Sequence, residues 1–253
     1  MPQIPILRSM QAAGWFLWIS ICCGPLYGSG QQIPVSVQID ASVQKLEDTN
    51  HEVSAGTNPG SNVVVWLSPL DYALDQKQRP HRRPRLTQRN KTFEPHLLVV
   101  EVGTAIDFPN QDPFFHNVFS LFDGKRFDLG LYEAGATNSA RFDRVGVSFL
   151  FCNIHPEMSA VVVAVNTPYY AVSDHSGRAT FRSVPKGRYE MHVWSERGVP
   201  EMLKNQTRAV VISDEVKTLP PIHIVEYADV KIAHKNKYGQ DYVPPPEAGY
   251  AHP

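Results

Sequence analysis

The chain is poor in cysteine: it has three in 253 residues, and past residue 23 only Cys152 is left. A scaffold stapled by disulfides is excluded, because a lone thiol has no partner within that part of the chain. An excess of charge of one sign is also lacking. Twenty-four Lys and Arg stand against twenty-five Asp and Glu, a formal net charge of -1, so the global balance steers the protein toward neither nucleic acid nor a membrane surface. Beyond the N-terminus there is no apolar run long enough to span a bilayer, no long stretch of apolar residues at helical spacing and no internal repeat. Nothing reads as a nucleophilic triad, a phosphate-binding loop or a pair of catalytic carboxylates. The chain is therefore not expected to be an enzyme.

What the N-terminus does hold is Arg8, the apolar run "AAGWFLWISICC" and then "GSG". This reads as a secretory signal over residues 1–30, since the apolar run is about twelve residues where a membrane span needs roughly twenty. A periplasmic or secreted protein is expected, with no stable membrane insertion after removal of the signal. Removal takes Cys22 and Cys23 with it and leaves Cys152 alone in an oxidising compartment. There it is buried and inert, reactive, or bound to something.

From Ile33 onward short strands alternate with Gly, Pro, Asn and Asp, which predicts an all-β protein. "IPVSVQID" alternates apolar and polar residues, and "SNVVVWLSPL" is a fuller apolar strand. Residues 33–75 are too few to bury a core alone, because isolated two-stranded pieces are marginal in water. They are expected to supply strands to a second sandwich formed later in the chain. Residues 76–91 carry seven basic side chains, from Lys77 to Lys91, and no acidic ones, which reads as an exposed basic linker. Residues 92–166 form a compact set of strands, with Ile106 and Phe108 on one face. Residues 167–226 show a second strand pattern, including "DHSGRATF" and "VPKGRYEMHVW". The Pro-rich tail at 227–253 has no buried-strand pattern and is expected to run along the surface or stay disordered.

Within "FLFCNIHPEMSAVVVAV" the side chains Cys152, His155 and Met158 share one short loop at intervals of three. Thiolate, imidazole and thioether are the ligands copper uses when it cycles between oxidation states; two His and one Cys in a trigonal set, with a distant Met, make a blue-copper site. The second imidazole must come from elsewhere, and His116 in "NQDPFFHNVFS" is the natural candidate, at a turn that feeds a strand. Zinc would favour more thiolates or a carboxylate and would leave Met158 unused.

These motifs resemble the cupredoxins. The resemblance rests on Ile106-x-Phe108-x-Asn110-x-Asp112, on His116-Asn117-Val118, on Gly146 upstream of Cys152, and on Cys-x-x-His-x-x-Met. The short ligand loop with Pro156 is similar to that of amicyanin, and the wider arrangement resembles bacterial plastocyanin-like proteins of the methylamine-utilisation type. It covers roughly residues 92–196. Val145 stands where a proline is frequent and Ser148 where an aromatic is frequent. The resemblance implies a cupredoxin-like Greek-key β-sandwich, with Asn117 tying the His116 turn to the Cys152 loop. The later pieces resemble a small carboxypeptidase-regulatory or transthyretin-like β-sandwich, into which the cupredoxin domain would be inserted.

The reading that follows is an exported protein binding one mononuclear blue copper through His116, Cys152, His155 and Met158, and exchanging electrons with a redox partner protein. The alternatives are a copper carrier or sensor, and a binding or structural module of the cell envelope with an incidental metal site. His175 and His192 are not expected to form a second copper site, and His51, His81, His223, His234 and His252 have no partner spacing. Asn90 and Asn205 head glycosylation sequons, a motif short enough to arise by chance.

Overall fold

Two runs of the sequence are apolar at every position, "VVVWL" at 63–67 and "AVVVAV" at 160–165. In a strand successive side chains point to opposite faces, so an uninterrupted apolar run marks a strand covered on both. The computed structural model shows this for both runs. It describes residues 33–44, 58–74, 83–121, 124–228 and 234–242; the expected signal, the first part of the basic segment and the end of the tail lie outside them.

The chain is all-β, with one short helix among the described residues. Its elements are β1 (Ile33–Gln44), β2 (Val64–Pro69), β3 (Thr87–Arg89), β4 (Thr92–Glu94), β5 (Leu97–Glu101), β6 (Thr104–Pro109), β7 (His116–Ser120) and β8 (Phe127–Tyr132). Then follow β9 (Thr137–Phe142), β10 (Gly146–Phe151), β11 (Ser159–Val165), β12 (Tyr170–Val172), β13 (Arg178–Val184), β14 (Gly187–Trp194), α1 (Pro200–Lys204), β15 (Arg208–Ile212) and β16 (Ile222–Tyr227).

One sandwich joins the sheet β13-β1-β16 to the sheet β12-β2-β14-β15. Its core holds Val35, Val37, Ile39, Val65, Leu67, Phe181, Tyr189 and Met191. The other is built on the sheet β5-β11-β10-β7-β8, with the pairs β6-β9 and β3-β4. Its core holds Ile106, Phe108, Val118, Phe142, Leu150 and Val162. Among the described residues, the strands of 33–69 pair with strands of 170–227 and with none between. The chain leaves the first sandwich after β2, builds the second, and returns at β12.

The double-faced strands join the two. Val162 of β11 points into the second core, while Val161, Val163 and Val165 meet Val64 of β2 in a separate apolar cluster flanked by Trp66, Tyr170 and Trp194. Burying each of these valines contributes roughly 1.5–3 kcal/mol. Beside this seam the imidazole of His96 bridges the Ser159 carbonyl (3.1 Å) and the Glu196 carboxylate (2.7 Å).

One expectation needs correction. The basic segment is not a linker from Arg83 onward: Leu86 and Gln88 are buried and β3 pairs with β4. Counting charges missed the alternation in "RLTQR", which turns Leu86 and Gln88 inward and leaves Arg85 and Arg89 outside. The connecting residues Asn90 and Lys91 both have positive φ, 53° and 55°, as a tight two-residue hairpin turn requires. Of the tail, residues 234–242 form no strand and run over the surface, as expected, where they pack on the loop after β10. The departure at Ser148 also has a local reason. Its Oγ accepts the Lys125 N–H at 2.9 Å, and a Cβ on Gly124 would lie only 2.6 Å from it. A ring at 148 would occupy the space this turn uses.

Candidate metal centre

His116 is the first residue of β7, Cys152 follows the last residue of β10, and His155 lies in the loop between β10 and β11. β7 and β10 are neighbours, paired through Phe119 and Phe151, so strand pairing brings His116 to the ligand loop. The loop closes on itself: Met158 N–H donates to the His155 carbonyl (3.1 Å) and Cys152 N–H to the Met158 carbonyl (3.3 Å). The Met158 side chain is buried in the same cluster as Cys152.

Three ligand atoms converge. Cys152 Sγ is 3.7 Å from His116 Nδ1 and 3.6 Å from His155 Nδ1, and the two nitrogens are 3.1 Å apart. A point equidistant from all three atoms lies about 2.0 Å from each, close to the lengths of about 2.0–2.3 Å at which a first-row metal meets imidazole nitrogen and thiolate. Among the described residues this is the only group of three or more His, Cys, Asp and Glu side chains placed to hold a metal. His175 is exposed in its turn, and His192 stacks on Trp66 at 5.1 Å.

The tautomer of His116 is set from behind. Its Nε2–H donates to Asp112 Oδ2 at 2.8 Å, which leaves Nδ1 with a lone pair facing the sulfur. Asp112 is held in turn by the N–H groups of Asn90 (2.6 Å) and Lys91 (2.9 Å), both in the hairpin turn. Burial pushes the Asp112 carboxyl up, but the bonds from Lys91, His116 and Asn90 outweigh it and hold it below the usual range. The hairpin in "RLTQRNKT" thus aims two amides at the carboxylate behind His116.

His155 is half-buried, and desolvation, aided by His116 and Lys91 nearby, lowers its pKa to about 4. It is neutral at ordinary pH and offers its nitrogen to a metal. Burial pushes the Cys152 thiol up, opposed by backbone hydrogen bonds from Asn117, Ile154 and His155. Those amides favour the thiolate, and a bound cation would complete its stabilisation. Phe114 packs against both imidazoles, 5.2 Å from His116 and 5.5 Å from His155.

Asn117 ties the His116 turn to Cys152 as expected, but through its backbone. Its side chain turns to β8, donating to Asp128 Oδ1 (2.7 Å) and the Gly130 carbonyl (2.9 Å), and it is the Asn117 backbone that reaches the sulfur. Sequence reasoning quoted Asp112 in a motif but gave it no role. The signal was the spacing "DPFFH", four residues across a turn that lets a carboxylate reach the histidine behind it.

No family model and no curated protein matches the chain. Solved structures similar to it include a copper-containing nitrite reductase from Thermus scotoductus, at 21% identity and TM-score 0.34, covering 40% of this chain and 26% of that one. A purple cupredoxin from Nitrosopumilus maritimus is 22% identical at TM-score 0.30, covering 32% of this chain and 99% of its own. A Cu(I) amicyanin variant is 18% identical at TM-score 0.31, covering 40% and 98%. The chain spans only about a quarter of the reductase. Likeness at this level carries no weight for what the chain binds, and the geometry of the site has to do so.

Proposed function

We propose that this is an exported electron-transfer protein, not an enzyme, holding one mononuclear copper through His116, Cys152 and His155, with Met158 as weak axial ligand. The observation that carries the reading is the triangle of two Nδ1 atoms and one Sγ, about one metal–ligand length from a common centre. Two imidazoles and one thiolate suit copper, which when bound would supply a one-electron redox step. The residues supply the rest. Asp112 keeps the proton on Nε2 of His116, burial of Cys152 and His116 excludes water, and the closed loop holds three of the donors in one rigid piece. His155 is the half-buried ligand, so electrons exchanged with a partner protein would pass at its edge. Export is supported by the apolar run near the N-terminus. Among the described residues no helix is long and apolar enough to cross a membrane.

The test is the visible spectrum of the purified protein after addition of Cu(II). Intense charge-transfer colour is expected from a copper–thiolate bond, at one copper per chain. Cys152→Ser abolishes the colour; a variant that keeps the wild-type spectrum overturns the assignment.

A further inference from the structure

The C-terminal segment 234–242 touches the ligand loop at several points. The imidazole of His234 stacks on Phe151, with centroids 3.9 Å apart and planes 23° from parallel, and its Nε2–H donates to the Pro156 carbonyl at 2.8 Å. Tyr242 donates its hydroxyl to the carbonyl of Cys152 itself at 2.8 Å, with its ring edge against His234. Between them the Lys237 N–H donates to Asn153 Oδ1 at 2.9 Å. Contacts therefore fall on Phe151, Cys152, Asn153 and Pro156.

A second route leads to the same sulfur. Lys237 Nζ donates to Asp128 Oδ2 at 2.8 Å, and Asp128 Oδ1 accepts the side chain of Asn117, whose backbone hydrogen-bonds the Cys152 sulfur. The segment is also organised in itself. Asn236 Oδ1 accepts the N–H groups of Tyr238 and Gln240, and Gly239, at φ 76°, donates to the Asn236 carbonyl. A loop that must hold two donors and a thiolate in one geometry gains from fastening at both ends.

Resting on the copper reading, we propose that His234 and Tyr242 are positioning residues: segment 234–242 is a strap that fixes the ligand loop and, through the Cys152 carbonyl, the sulfur. Amide hydrogen exchange of the metal-free full chain tests this without copper. In the double variant His234→Ala/Tyr242→Phe the amides of loop 152–158 exchange about tenfold faster, while the denaturant midpoint moves little because the segment lies outside both cores. With Cu(II) bound, the same variant releases the ion to a chelator about tenfold faster. It also shifts the visible band and the reduction potential, which a merely structural contact would leave alone. Tyr242→Phe by itself keeps the ring, folds as the parent does, and shows the same changes at smaller size. Unchanged loop exchange in both variants overturns the strap, and faster exchange with unchanged spectrum and potential overturns the positioning role. A wild-type chain that takes up no copper overturns the metal reading instead, and loop exchange still decides the strap.

Discussion

In the first sandwich the buried carboxylate of Glu226 accepts from Arg197 (2.8 Å), Ser195 (3.2 Å) and the Gly60 N–H (3.1 Å), while buried Ser173 and Thr167 bond to backbone groups of Gly60, Val63 and Leu67. Each of these polar groups ties one piece of chain to another, and their bonds end in the fold. In the second sandwich buried Asp112 takes the two hairpin amides and His116, whose other ring nitrogen faces Cys152. Among the described residues that sandwich holds three buried side-chain atoms without a hydrogen-bond partner, Gln88 Oε1, Asn117 Oδ1 and Ser120 Oγ, and the first holds Arg208 Nε. An unmade buried hydrogen bond costs about 1–3 kcal/mol. Similar strands thus carry two uses of buried polarity: one locks the pieces of a discontinuous sandwich together, the other sets a carboxylate–imidazole pair facing a sulfur.

The sharpest way to break this comparison is Glu226→Ala. It leaves the mostly buried Arg197 without its carboxylate, and loss of one partner of a buried pair costs about 3–5 kcal/mol. Urea unfolding should show a loss of that size. The copper spectrum at low temperature should be unchanged, since Glu226 lies in the sandwich that holds none of the donors. Colour lost together with stability would show that the two uses are not separate.

The mirror-image change is Asp112→Asn, which alters the group behind a ligand and leaves the first sandwich alone. The amide cannot hold His116 and the two hairpin N–H groups as a carboxylate does, so copper affinity should fall about 10–100-fold. Competition with a chelator measures this. The urea midpoint of the metal-free protein should move less than in Glu226→Ala, and an affinity equal to wild type would remove Asp112 from the site.

Much of this was legible in residue types and spacing. His116, Cys152 and His155 come together because strand pairing does what the pattern required, and the all-β fold follows from alternation over short runs. What stayed hidden depends on a distant part of the chain. Asp112 reaches His116 across a turn, which no helical or strand period announces. The hairpin at 87–94 was obscured by its outward charges, and its turn amides matter only because Asp112 lies opposite. The role of His234 and Tyr242 was hidden for the same reason: a tail reads as polar and Pro-rich until the loop it lies on is known.

The smallest effect concerns the seam between the sandwiches. His96, just before β5, reaches Glu196, just after β14, at 2.7 Å. The hydrogen bond to Glu196 is the main cause raising the His96 pKa, opposed by desolvation and supported by the Glu196 charge and the Ser159 carbonyl. A histidine raised in the folded state binds a proton more tightly there than in the unfolded chain, so the protonated form favours folding. Its contribution is fully present below the ordinary value of about 6.5 and is lost as the pH rises through the raised folded value. The imidazole is half exposed, so the pair contributes no more than about 0.2–1 kcal/mol. Urea midpoints of wild type and Glu196→Gln, taken from about pH 5 to about pH 9, should differ at the acid end and converge at the alkaline end. A constant difference would mean that Glu196 acts by packing rather than charge. No difference at any pH would leave the valines of β11 and β2 as what joins the two sandwiches.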